Sequence, residues 1–99
     1  MVVHLFSGVA HVTVLSDFRQ RAAEKLEDLG DTVAAAQRYD EAISLYTTAL
    51  SLKPCSPQGI LIKRSKTYIT VGLWKQALDD ANQVHRFVAG RSILLTHHH

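Results

Sequence analysis

Apolar and small residues recur along the middle of this chain at the three- and four-residue intervals that place them on one side of a helix. Ala22, Leu26, Leu29, Gly30 and Val33 form one such stripe, and Ala42, Ile43, Tyr46, Ala49 and Leu50 form a second. Leu61, Ser65, Tyr68 and Gly72 make a third, and Trp74, Ala77, Leu78, Ala81, Val84 and Val88 a fourth. No alternating, strand-like run competes between residues 17 and 88. The pattern predicts four amphipathic helices and an all-α chain. Punctuation fits: Ser16 or Asp17 is placed to cap the first helix, Pro54 to end the second, and Ser56 with Pro57 to open the third, the serine as cap and the proline with its preset φ.

The stripes are themselves repeated. Leu26, Leu29, Gly30, Val33, Tyr39, Ala42, Tyr46 and Ala49 are followed 35 residues later by Leu61, Arg64, Ser65, Tyr68, Trp74, Ala77, Ala81 and Val84. A period of this length is one helix–turn–helix unit that cannot bury its apolar face alone, so copies stack and expose a surface suited to binding. Small residues at Gly30, Ala42, Ala49, Ser65, Ala77 and Ala81 let helices approach, while Leu26, Tyr46, Tyr68 and Trp74 fill the volume beside them. Trp74 is accordingly expected to be buried beside Ala77 and Ala81.

These residues resemble the tetratricopeptide repeat (TPR), whose pattern runs W-x2-L-G-x2-Y, then A-x3-F, then P. Leu29 to Pro54 carries it closely, with Leu26 in place of the Trp, Val33 of the Tyr and Tyr46 of the Phe. The second copy, Gln58 to Ala89, keeps Tyr68, Gly72, Trp74, Ala77 and Ala81. It has Arg64 and Ser65 where Leu-Gly would stand, and Ala89 where the Pro would stand. The resemblance implies a right-handed α-α superhelix of stacked repeats. Repeat 1 would span 23–56 and repeat 2 58–89 within a domain of residues 17–89. Residues 1–16 form an apolar N-terminal segment, read as a cap helix or as disordered, and 90–99 form a tail whose terminal histidines resemble a tag. Two repeats fall short of the about three that usually stand alone, so either the flanking segments act as caps, or the chain is a module of a larger array, or it self-associates through open repeat ends.

The resemblance also implies where a partner would lie. The first helix of each repeat lines the concave face, here Glu24, Glu27, Asp31, Ala34 and Ala35, then Gly59, Ile62, Lys63, Lys66, Ile69 and Thr70. One helix is acidic and the next basic. Ile62 and Ile69 read as apolar anchors for a protein or peptide partner, and equally the charges read as mere structural pairs, Asp28 with Lys63 and Asp31 with Lys66. Family members that hold the acidic tails of heat-shock chaperones place a Lys and an Asn, then a further Asn, where Glu27, Asp31 and Lys63 stand. Like charge disfavours that ligand here.

Composition narrows the alternatives. With 99 residues the chain is one small domain. A net charge of +2 gives no argument for nucleic acid, and Lys63, Arg64, Lys66, Arg86 and Arg91 lack an aromatic platform for RNA. The apolar run 2–15 is shorter than the roughly 20 residues of a membrane span and holds two histidines. The lone Cys55 has no partner within the chain, which points to a reducing, intracellular setting with the cytoplasm as the expected compartment. No phosphate loop, metal-ligand spacing or nucleophile elbow occurs. No cofactor, metal or catalytic residue is expected, and His85 reads as structural. Asp79 and Asp80 point apart on a helix and read as a solvated face, with Asp80 within reach of Arg64. The expected function is a non-enzymatic scaffold or adaptor that binds a peptide or helix. The alternatives are a structural fragment of a longer array that self-associates, or one domain of a larger enzyme, ubiquitin-ligase adaptor or co-chaperone.

Overall fold

A computed structural model describes the backbone of residues 2–96 and the side chains of residues 14–86. Four helices follow one another, α1 Val2–Ala35, α2 Tyr39–Ser51, α3 Gln58–Thr70 and α4 Trp74–Thr96, and the described residues contain no strand. Consecutive helices pack, α1 on α2, α2 on α3 and α3 on α4.

The duplication seen in the letters extends to the backbone hydrogen bonds of the two turns. At the α1–α2 corner the amides of Ala36, Gln37 and Arg38 donate to the carbonyls of Thr32, Ala34 and Val33, and Ala42 donates to Arg38. Exactly 35 positions on, Val71, Gly72 and Leu73 donate to Thr67, Ile69 and Tyr68, and Ala77 donates to Leu73. Both corners put their middle residue in the left-handed region, Gln37 at φ 64° and Gly72 at φ 82°. This geometry satisfies the orphan carbonyls at a helix end, and glycine reaches it without strain.

The core sits in the first three helices. Ala23, Ala42, Tyr46, Ala49 and Ile60 are buried together, with Leu26, Val33, Ala34, Leu50 and Leu52 packed against them. Its tightest point is Gly30, where a Cβ would stand 2.5 Å from Tyr46 Cε1. In the second repeat Ser65 replaces that glycine and Ala81 replaces the tyrosine. The Ser65 hydroxyl donates 3.0 Å to the Ala77 carbonyl on α4.

Arg64 and Asp80 join α3 to α4 by two parallel bonds, Nε to Oδ2 and Nη2 to Oδ1, each 2.7 Å. Asp80 is 2% exposed. Nη1 of Arg64 also donates to Thr47 Oγ1 on α2 at 3.1 Å, and the guanidinium lies 5.5 Å from the Tyr68 ring centre. The bonds to Asp80 hold the guanidinium above its ordinary pKa, against the opposing effect of burial. The expectation that Asp80 reaches Arg64 is met, but the solvated face read for Asp79 and Asp80 is corrected: Asp79 is exposed, whereas the bonds to Arg64 hold Asp80 out of water. In the first repeat the corresponding places hold Leu29 and Leu45.

Four expectations are corrected. Trp74 is 66% exposed and Ala81 is also exposed. Tyr39, the residue 35 places earlier, is half-buried where the next unit follows it, and among the described residues no element covers α4 in the same way. The first helix does not start at Ser16 or Asp17, since α1 runs unbroken from Val2. Ser56 makes no capping bond; Pro57 adopts helical angles and accepts from the Leu61 amide at 3.0 Å, so the preset proline starts α3 without the serine. Finally, the stretch from residue 90 onward, read as a tail, continues α4 as far as Thr96. Where Lys53 at φ 55° and Pro54 stop α2, α4 has Val88 and Ala89, which permit the helix to continue.

Two substitutions test this account of packing. Gly30→Ala forces the Tyr46 ring out of its seat and is expected to destabilise by about 1–3 kcal/mol in chemical denaturation. Asp80→Ala leaves a buried guanidinium without its partner and should cost about 3–5 kcal/mol, whereas Arg64→Leu with Asp80→Leu, restoring the residues of the first repeat, should be neutral or stabilising. A double variant as unstable as Asp80→Ala would show that the pair itself, and not its half-removal, carries the stability.

Candidate functional site

α1 carries Glu24, Glu27, Asp28 and Asp31 at helical spacing, and α3 sets Lys63 against two of them. The ammonium donates 2.7 Å to Glu27 Oε2 and 2.8 Å to Asp31 Oδ2. Asp31 spends its other oxygen on Tyr46, whose hydroxyl donates to Oδ1 at 2.6 Å. A core residue of α2 thus fixes a carboxylate of α1, which in turn fixes a lysine of α3.

The electrostatics follow from these contacts. Burial draws the Lys63 pKa down, but the bonds to Asp31 and Glu27 outweigh it and leave the group above its ordinary 10.5. Burial and the bond to Asp31 push the Tyr46 hydroxyl well above the usual phenol range. Both groups therefore stay protonated in the folded chain at pH values where the unfolded chain has begun to lose those protons.

The anticipated pairing is corrected here. Lys63 bridges Glu27 and Asp31, not Asp28, whose backbone carbonyl accepts from the Thr32 hydroxyl. Lys66 is exposed and makes no ion pair among the described residues. One helical turn separates Lys63 from Lys66, and the carboxylates of α1 stand opposite the former.

The remaining anticipated groove residues are distributed as follows. Ile62 and Ile69 are 41% and 46% exposed, and Thr70, Ala35 and Glu24 are exposed too. Gly59 is exposed, with Glu27 Oε2 at 4.0 Å from where its Cβ would be. Ala34 is half-buried and belongs to the rim of the core as much as to the open face. Glu24 accepts a 3.3 Å bond from Gln20 Nε2, while Gln20 Oε1 accepts the Cys55 amide at 2.8 Å and ties the α2–α3 connection to α1.

Sequence reasoning did not anticipate two recesses away from this face. One, about 340 Å³, is lined by Gln37 to Glu41 and Val71 at the two corners. Another, about 330 Å³, is bounded by Leu50, Pro54, Pro57, Leu61, Arg64 and Gln83. The first joins the contiguous stretch Gln37 to Glu41 to Val71 of the other corner, and the second draws its residues from separate elements, so the folded arrangement and not a motif creates both. Among the described residues no group of three or more His, Cys, Asp or Glu is placed to hold a metal ion. No described helix is long and apolar enough to cross a membrane.

No family model matches the chain. No solved structure matches it either. Over 59 residues it is 37% identical to a heat-shock protein cognate (HSC) co-chaperone, sgt12, of Aspergillus fumigatus. The match covers 60% of this chain and 17% of that protein, so the chain spans a small part of its relative.

The ion bridge has a signature at high pH. A raised pKa contributes stability that is complete below the unfolded value and is lost as the pH rises towards the folded one. Helicity followed by circular dichroism should therefore be constant through neutrality and fall above about pH 10. Lys63→Met should remove part of that alkaline dependence. It should lower stability near neutral pH by no more than about 1 kcal/mol, because the bridge is partly solvated.

Proposed function

We propose that the chain is a two-repeat TPR-type module, a non-enzymatic scaffold whose open face between α1 and α3 binds a peptide or helix of a protein partner. The observation that carries this reading is the duplicated corner. Identical hydrogen bonds 35 residues apart mean one helical hairpin built twice, and stacked hairpins present their first helices side by side. On that open face Ile62 and Ile69 are unusually exposed for their type and lie two turns apart, the spacing of anchors for an extended or helical segment. The likeness to part of a co-chaperone supports a role in contacting other proteins. The lone, exposed Cys55 suits a reducing intracellular setting.

Capture of an acidic chaperone tail is the weaker version of this function. Glu27 and Asp31 occupy the places where the clamp carries neutral or basic side chains, and each already accepts a bond from Lys63. An incoming carboxylate would compete with two resident ones.

A displayed peptide library screened on the whole chain supplies ligands with which to test the reading. Ile62→Asp with Ile69→Asp should weaken the selected peptides at least about 10-fold without loss of helicity, since both side chains are already solvated. Lys66→Glu should weaken acidic ligands selectively. Ligands that bind the double variant unchanged would move the interaction surface off this face.

A further inference from the structure

The interface between α2 and α3 shows how one unit receives the next, and the described residues carry, at the same repeat register, an uncovered counterpart of each half. On the receiving side, Tyr39, Ile43 and Leu50 of α2 are half-buried and Thr47 bonds Arg64 of α3. Their counterparts 35 positions on, Trp74, Leu78, Asn82 and His85 of α4, are all exposed, Leu78 by 60%. On the inserting side, Ile60 and Thr67 of α3 are buried at 3% and 7%. Their counterparts on α1, Lys25 and Thr32, are exposed, and Leu29, the counterpart of Arg64, is 49% exposed. The same outer stripe of α1 continues through Phe18 and Val14, both large, apolar and mostly exposed.

We infer that the occupant of the outer face of α4 is α1 of a second copy of this chain, docked as α3 docks on α2. The interface is heterologous, since it joins the Trp74, Leu78, Asn82 stripe of one copy to the Lys25, Leu29, Thr32 stripe of the next. The internal repeat supplies the geometry: advancing the chain by two units superposes the inserting helix of one copy on the vacant place beside the other's α4. Leu29 then stands against Asn82 where Arg64 stands against Thr47. Association covers Trp74, the single tryptophan, and provides each α4 with the neighbour that α2 already has.

A heterologous joint is recognised by complementation. For the full chain, average mass by light scattering should rise with concentration, and the Trp74 emission should shift to the blue as it does. Leu29→Glu spoils only the inserting face and Leu78→Glu only the receiving face, and both positions are solvated in the single chain, so helicity should be kept. Each variant alone should associate at least about 30-fold more weakly than the parent. An equimolar mixture should form a dimer of one copy of each, because the intact α4 of the Leu29→Glu chain meets the intact α1 of the Leu78→Glu chain. Trp74→Glu provides an independent lesion on the receiving face and should complement Leu29→Glu's intact α4 only through its own intact α1. A parent chain that stays monomeric at millimolar concentration overturns the inference. So does a Leu29→Glu variant that still associates with itself, which would mean α4 pairs with α4, and so does a mixture that remains monomeric while both variants are folded.

Discussion

The seating of the Tyr46 ring on Gly30 is the contact on which the open face depends. Only a residue with no Cβ permits that approach, since any other would place an atom within 3 Å of the ring. The ring brings its hydroxyl to Asp31, Asp31 brings Lys63 into register, and Lys63 reaches back to Glu27. A packing decision made in the core between α1 and α2 is thus read out as the charge arrangement between α1 and α3. The chain of contacts crosses three helices in three hydrogen bonds.

The two repeats solve the same packing problem with different chemistry. The first is held by apolar burial, with Ala23, Ala42, Tyr46 and Ala49 excluded from water and their neighbours folded over them. The second replaces the glycine–tyrosine fit by a serine and an alanine, and replaces two leucines by the Arg64–Asp80 pair. A buried ion pair contributes little net stability, because desolvation offsets most of the Coulomb attraction, but it penalises any arrangement that separates the partners. The second unit is therefore specified more by the cost of its alternatives than by the gain from its own packing. Its Thr47 contact makes the same arginine a tie to the first unit.

Exposure along α4 has the same origin. A repeat protein buries each unit's outer face with the next unit, and each face that ends an array keeps its apolar residues in water unless something else covers them. Leu78 and Trp74 are the counterparts of residues that α2 keeps half-covered, and among the described residues no helix follows α4 as α3 follows α2.

Helix number, the sites of the two corners and, in the first repeat, the pairing of small with large residues were legible in the letters, because period and punctuation are local properties. The stop at Pro54 and the buried small positions Gly30, Ala42, Ala49, Ser65 and Ala77 were read correctly on those grounds, whereas Gly72, counted in the stripe of the third helix, lies beyond its end in the left-handed turn. The contact of Arg64 with Asp80 was legible too, but its burial was not. Trp74 was misread because burial is not a property of a residue but of what packs against it, and a helix stripe carries no record of whether a neighbour follows. Lys63 was assigned one carboxylate and takes two others. Adjacent acidic residues on α1 differ by one step in sequence but by about 100° in direction, so only the relative rotation and height of α1 and α3 decide which of them the lysine meets. That rotation is set by the contact of α1 with α2, where Tyr46 lies on Gly30, and it is therefore a tertiary quantity.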